Sequence, residues 1–102
     1  MSAPAHLPKA VAEVWSEVTT AYGDGAEVIE GPALKAYCGQ VATLRDAQRR
    51  LADDGLVVND LKGFPVNHPA IAIERAAQDE IRKWGDQFRP PKPRRNRAIS
   101  AL

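Results

Sequence analysis

Hydrophobic residues recur at helical spacing in three stretches of the chain, and each stretch follows a proline. The three prolines are Pro8, Pro32 and Pro69. Proline suits the first position of a helix because its missing N–H has no intrahelical partner there. The pattern therefore predicts three helices, the first ended by glycine at Gly23 and the second running from Pro32 to Asp54.

The first and third predicted helices each carry a single apolar stripe. The stripe of the first helix consists of Val11, Val14, Trp15, Val18 and Tyr22. The stripe of the third consists of Ile73, Ala77, Ile81, Trp84 and Phe88. Gly85 weakens the last turn of the third helix, and Pro90 prevents its continuation beyond Arg89.

The second predicted helix carries apolar residues at heptad spacing. This seam consists of Leu34, Tyr37, Val41, Leu44, Gln48 and Leu51. It covers fewer than three full heptads, which does not secure a free-standing coiled coil. Two interpretations stay open: the helix packs inside its own domain, or it also packs between subunits. Under the second interpretation, five residues are candidates for oligomerisation: Leu34, Tyr37, Val41, Leu44 and Leu51.

Two short runs between the second and third helices predict a β-hairpin. Leu56–Val58 and Phe64–Val66 form the strands, and Asn59–Gly63 is rich in turn-forming residues. Pro65 cannot donate to a ladder, so its strand is an edge. An isolated hairpin is marginal in water, so this one must lie on a helix or on a neighbouring subunit. The expected fold class is mainly α, with three helices and this hairpin between helices 2 and 3.

The charge of the chain is distributed unevenly, although its net value is only +1. Residues 1–88 hold nine Lys/Arg and thirteen Asp/Glu, a net of −4, whereas residues 89–102 hold five Lys/Arg and no acid, a net of +5. Such asymmetry is typical of a tail that binds nucleic acid. We expect a helical domain at 1–88 and a basic, proline-rich tail at 89–102 that stays extended and mobile until it meets a partner.

The basic residues of the tail are the candidate DNA contacts. They are Arg89, Lys92, Arg94, Arg95 and Arg97. Each phosphate that such residues neutralise releases counterions, which is the main source of sequence-independent affinity for DNA. The interleaved prolines favour an extended backbone that can follow a strand. The residues alone leave equally open a solubilising tail or one that contacts an acidic protein surface.

Other kinds of chemistry have little support in the sequence. The chain has no GxxxxGK[ST] phosphate loop and no paired-histidine or CxxC metal spacing. The sequence therefore predicts no enzymatic activity, no catalytic residue, no cofactor and no metal site. We expect His68 to be a cap or turn residue and Cys38 to be a buried thiol. No signal peptide or membrane-spanning run is evident, so we expect a cytoplasmic protein without a membrane partner.

Several short motifs follow one another in a specific order. They are Leu7-Pro8 with Trp15, Tyr37-Cys38, Gly55-Leu56-Val57-Val58, Gly63, Pro65, His68-Pro69-Ala70 and a Pro-then-Arg ending at Arg94 or Arg95. Their order and spacing are similar to those of the small subunit of tailed-phage terminases, the DNA-recognition component of the genome-packaging motor.

The resemblance implies a function and a set of partners. Small terminase subunits form homo-oligomeric rings, bind double-stranded viral DNA at the packaging start in the cytoplasm of the host cell, and present it to the large ATPase and nuclease subunit, which they regulate. Two alternatives remain: a phage structural adaptor whose basic tail contacts protein, and a small DNA-binding regulator using helices 1 and 2. The seven-residue linker Asp24–Glu30 is longer than a usual helix-turn-helix turn.

Overall fold

The computed structural model describes residues 3–90, which form three helices and one β-hairpin. The elements in chain order are α1 (Lys9–Tyr22), a short 3-10 helix (Ala26–Val28), α2 (Pro32–Asp54), β1 (Val57–Asn59), β2 (Pro65–Asn67) and α3 (Ala70–Trp84). The mainly α fold with a hairpin between the second and third helices is therefore confirmed.

Proline and glycine set the bounds of the helices. Pro32 is the first residue of α2, whereas Pro8 and Pro69 each lie one position before the first helical residue. Gly23 and Gly55 follow α1 and α2 with positive φ angles of 82° and 81°, a conformation that glycine adopts without steric cost. The predicted bounds of α2 are confirmed at both ends.

The third helix is shorter than its apolar stripe. It ends at Trp84, and Gly85 follows with φ 56°. The chain continues in turns after the helix. Phe88, the last stripe residue, lies in one of these turns and is buried there. The glycine ends the helix before Pro90 can, because a positive φ breaks the regular helical ladder.

Both α1 and α3 pack against α2, which is the central element of the fold. The core consists of Leu7, Val14, Trp15, Leu34, Cys38 and Phe88. Leu34 and Cys38 are fully buried, and burial raises the pKa of the Cys38 thiol to about 11. The predicted buried position of this cysteine is confirmed.

The hairpin strands each lie one residue later than predicted. Val58 pairs with Val66, and the strands run antiparallel. The turn is organised by Asp60, whose Oδ1 accepts hydrogen bonds from the backbone N–H groups of Lys62 (2.8 Å) and Phe64 (2.9 Å). This Asx-type turn takes up residues 60–64 and so moves the start of β2 to Pro65.

Among residues 3–90, no helix is long and apolar enough to cross a membrane. Within the same residues, no group of three or more His, Cys, Asp or Glu side chains is placed to hold a metal ion.

Candidate nucleic-acid interface

Three aromatic side chains hold the chain immediately before its basic tail. Phe88 is 6% exposed, and its ring centroid lies 4.9 Å from that of Tyr37 and 5.5 Å from that of Trp84. Tyr37 and Trp84 complete the triangle, edge to face at 6.3 Å. These distances are in the range of favourable aromatic pairs. This aromatic cluster therefore fixes the position from which the tail departs.

Arg89 is the first of the five predicted DNA contacts, and the structure describes its surroundings. Its Nη1 lies 2.9 Å from Asp86 Oδ1, and both side chains are largely exposed. An exposed pair of this kind contributes little free energy, so a phosphate can replace the carboxylate. The other four predicted contacts, Lys92, Arg94, Arg95 and Arg97, and the extended tail expected around them, lie outside the described residues.

A shallow groove lies between α1 and α2 at the point where the tail departs. Its volume is about 260 Å³, and its lining includes Val18, Tyr37, Val41, Arg45 and Arg89. The structure thus brings together two of the predicted seam residues and the first predicted DNA contact. Arg45 also lies here, with its Nη2 at 2.6 Å from Glu17 Oε2. The hydrogen bond to Glu17 raises the pKa of Arg45.

The other two arginines of α2 share a single carboxylate. Asp46 accepts a hydrogen bond from Arg49 and lies 3.0 Å from Nε of Arg50. The Arg49 hydrogen bond is the main reason that the pKa of Asp46 is lowered. Any phosphate-binding site formed by these two arginines would therefore be partly neutralised by a carboxylate of the same helix.

Ion pairs neutralise two of the three basic residues of α3 in the same way. Arg82 lies 3.5 Å from Asp79, and Lys83 lies 2.8 Å from Glu80. Within residues 3–90, the basic side chains that make no ion pair are scattered over different elements: Lys9, Lys35, Lys62 and Arg75. The described part of the chain therefore presents little concentrated positive charge.

The five predicted oligomerisation residues have different environments. Leu34 is fully buried in the chain's own core, Tyr37 belongs to the aromatic cluster, and Val41 packs against the core. Leu44 and Leu51 are half-buried. The first three positions therefore stabilise the chain itself, and a role of the seam between subunits stays a prediction.

The contact between these three aromatic residues does not follow from the sequence pattern. Tyr37 belonged to the seam of helix 2, and Trp84 and Phe88 belonged to the stripe of helix 3. The i, i+4 spacing of Trp84 and Phe88 would have placed them on one side of a helix. The contact with Tyr37 depends on how α3 crosses α2, which no local pattern contains.

Comparison with known proteins gives a family match. A model of a family described as "Phage terminase, small subunit" matches residues 12–90 of this 102-residue chain. The match begins inside α1, includes the hairpin and ends just after the aromatic cluster. Neither the curated proteins nor the solved structures contain a significant match to the chain.

Proposed function

Because the chain belongs to the phage terminase small-subunit family, we propose that it binds viral double-stranded DNA at the packaging start and presents that DNA to the large terminase subunit. Its role in phage DNA packaging follows from the family itself. The protein regulates the large subunit without being catalytic itself, forms a homo-oligomeric ring, and acts in the cytoplasm of the infected host cell.

The separation of charge along the chain is the observation that carries the DNA-binding part of the proposal. Residues 1–88 have a net charge of −4 and residues 89–102 a net of +5. In the described residues, Glu17 and Asp46 balance two of the three arginine charges of α2. A polyanion is therefore repelled by the helical domain as a whole and attracted to the tail. We assign the phosphate contacts to Arg89, Lys92, Arg94, Arg95 and Arg97.

The position of the aromatic cluster supports a specific placement of the DNA. Phe88 is buried against Tyr37, and Arg89 follows at the rim of the groove that also contains Arg45. A duplex held by the start of the tail would pass this side of α2. Arg45 could then exchange Glu17 for a phosphate, because that ion pair is half exposed.

Duplex binding as a function of salt tests the assignment of the tail. The full chain is compared with a chain ending at Pro90, which keeps the aromatic cluster and Arg89. Loss of four phosphate contacts should flatten the salt slope by roughly 3.6 units per bound chain, at about 0.9 per contact. Fluorescence anisotropy of a labelled duplex from low to high salt gives both slopes. Equal affinity and equal slope for the two chains would place the DNA site elsewhere.

An ATPase assay with purified large subunit tests whether the chain presents DNA to the large subunit and regulates it. The full chain should change the ATPase rate of the large subunit in the presence of duplex DNA, and the chain ending at Pro90 should change it less. A protein that binds the large subunit but shows no salt-dependent binding to DNA would instead be a structural adaptor. That result separates the two alternatives because phosphate contacts necessarily produce a negative salt slope.

A further inference from the structure

The groove between α1 and α2, at which the tail departs, is lined largely by apolar side chains. Those side chains are Val14, Val18, Ala21, Val41 and Phe88. Val14 and Phe88 are buried in the core, at 1% and 6% exposed, whereas Val18 and Val41 are half-buried. Ala21 is exposed. The described residues therefore leave part of this apolar surface, the α1–α2 groove, open to solvent.

The charged groups beside the α1–α2 groove already have partners. Arg45 lies 2.6 Å from Glu17, and Arg89 lies 2.9 Å from Asp86. A charged occupant would have to compete with these pairs, whereas an apolar occupant needs no polar partner. Burial of apolar surface is favourable by itself, so the groove favours an apolar segment.

The chain itself enters the groove at its last described residue. Pro90 is one of the residues that line it, so residues 91–102 start from the groove. A segment tethered by a short flexible linker meets a neighbouring site at an effective concentration in the millimolar range. A separate molecule at micromolar concentration does not reach this value. The position of Pro90 therefore favours the tail of the same chain over a second copy or another protein.

Only one part of the tail has the apolar character that the groove favours. Residues 91–97 consist of Pro, Lys, Arg and Asn, whereas residues 98–102 read Ala-Ile-Ser-Ala-Leu and carry no charged side chain. Ile99 and Leu102 are the large apolar side chains of this segment. They therefore match the α1–α2 groove, and the basic residues do not.

The lengths of the tail and the groove are compatible. Ile99 follows Pro90 by nine positions, which span up to about 30 Å when extended, so the chain can leave the groove and return to it. Val14 and Ala21 are seven positions apart on α1, about 10 Å along the helix. Ile99 and Leu102 are three positions apart, up to about 10 Å in an extended chain. The two side chains can therefore fill both ends of the groove.

We infer that Ile99 and Leu102 dock in the α1–α2 groove of their own chain and close residues 91–97 into a basic loop. The groove is also lined by Arg45 and Arg89, so the loop gathers the positive charge of the tail beside these two arginines. The docking is independent of the proposed function. Its effect on DNA binding rests on that function and identifies the form in which the tail is presented to phosphates.

Methyl NMR tests the docking directly. Tyr37 and Phe88 line the groove, so the ring currents of these aromatic side chains should shift the methyl signals of a docked Ile99 and Leu102. The reference is a free peptide of residues 91–102, in which no aromatic ring is present. Methyl signals of the full chain that coincide with those of the peptide would overturn the docking.

Ala21→Leu tests the groove as the receptor. Leucine at this exposed position of α1 should occupy the groove and return the methyl signals of Ile99 and Leu102 to the peptide values. Thr20→Leu is the matched control, because Thr20 is exposed on the same helix but does not line the groove. It should leave the signals shifted. Equal shifts in the two variants would place the docking elsewhere and overturn the assignment of the groove.

Disulfide formation tests whether the docking occurs within one chain. Ala21→Cys combined with Ser100→Cys keeps both apolar anchors and should form an intrachain disulfide several times faster than Thr20→Cys combined with Ser100→Cys. Native Cys38 is buried with a raised pKa, so it does not compete. Equal rates for the two pairs would overturn the docking. A disulfide that joins two chains would overturn the intrachain docking in favour of a tail exchanged between copies.

Removal of residues 98–102 separates the closed loop from its charges. All five basic residues remain, so the salt slope of duplex binding should stay the same. Without the anchors the tail loses more conformational freedom on binding, and the affinity should fall by roughly threefold to tenfold. A chain with both Ile99→Ser and Leu102→Ser should behave like the truncated chain, and Ser100→Ala should behave like the wild type. Equal affinity of the truncated and full chains would overturn the closed loop as a DNA-binding element.

The outcomes separate this inference from the proposed function. Shifted methyl signals in a chain that does not bind duplex DNA would support the docking and contradict the proposed function. Salt-dependent DNA binding by a chain whose methyl signals match the free peptide would overturn the docking and leave the proposed function intact.

Discussion

His68 and Asp54 are joined across the base of the hairpin, with Nε2 of the ring 2.9 Å from the carboxylate Oδ2. The other ring nitrogen, Nδ1, accepts the backbone N–H of Ala70 at 2.9 Å. An N–H group can only donate, so the neutral ring carries its proton on Nε2 and donates it to Asp54. One side chain thus caps α3 and ties it to the last residue of α2.

Loss of this side chain should loosen the hairpin more than the helices. His68→Ala removes both hydrogen bonds from a ring that is only 11% exposed, which should cost about 1 kcal/mol in the free energy of unfolding. Hydrogen exchange should become faster at the hairpin amides, such as that of Val58. Amides in the middle of α2 exchange through global unfolding, so their exchange should become faster only by the amount that the lower overall stability predicts.

Asp54→Asn is the matched control for this prediction. Its amide oxygen can still accept from Nε2, so the hairpin amides should exchange at nearly the wild-type rate. Asp54→Ala removes the acceptor and should resemble His68→Ala. Equal exchange in all three variants would contradict a role of the pair in holding the hairpin base.

The aromatic cluster should contribute a large share of the stability. Phe88→Ala empties a buried site between Tyr37 and Trp84 and should lower the free energy of unfolding by about 3 kcal/mol. Gln87→Ala changes an exposed neighbour and should stay within about 0.5 kcal/mol of the wild type. Urea denaturation followed by circular dichroism measures both, and similar midpoints for the two variants would show that the cluster is dispensable.

The sequence was sufficient where local chemistry decides the structure. Pro32 and Gly55 bound α2 as predicted, because proline at a first turn and glycine in a positive-φ position act through the backbone alone. The hairpin was predicted with strands one residue early, because the turn is organised by the side chain of Asp60. That hydrogen bonding is local, but the residue types alone did not fix which turn forms.

The sequence was insufficient where distant elements meet. The heptad spacing of α2 shows that one side is apolar but not what covers it. In the structure, α1 and α3 cover Leu34 and Val41, whereas Leu44 and Leu51 stay half-buried. The pairing of Asp54 with His68 likewise depends on the hairpin returning the chain to the end of α2.

Cys38 should make the stability depend on pH at the alkaline end. Burial raises the pKa of its thiol from 9.0 to about 11, so the unfolded chain releases this proton first. The stabilisation from the protonated thiol is complete below pH 9 and is lost as the pH rises through about 11. Urea denaturation at several pH values should therefore show the advantage of wild type over Cys38→Ala shrinking in this window. A constant difference would contradict the assignment.

Leu44 is the seam position at which the two interpretations of α2 can be tested. Leu44→Asp places a charge at a half-buried apolar site, so it should dissociate the assembly or lower the melting temperature. Gln48→Asp, at an exposed position of the same seam, should change neither. An unchanged mass together with an unchanged melting temperature for Leu44→Asp would exclude the seam from both kinds of packing.

Two sets of charge-removing substitutions should affect DNA binding very differently. The tail set replaces Lys92, Arg94, Arg95 and Arg97 with Gln, and the helix set replaces Arg45, Arg49 and Arg50 with Gln. Glu17 and Asp46 already balance two of the three positive charges of the helix set, so its loss exposes two carboxylates and removes only one unbalanced positive charge.

The tail set should therefore flatten the salt slope of duplex binding by up to about 3.6 units per chain, at about 0.9 per phosphate contact, and the helix set by less than about one. Both proteins should keep the helix content and the mass of the wild type, which circular dichroism and light scattering verify. A larger change of salt slope for the helix set than for the tail set would show that the DNA binds to α2 and not to the tail. Phosphate contacts position DNA without reading its sequence, so the tail set should weaken binding to all duplexes nearly equally.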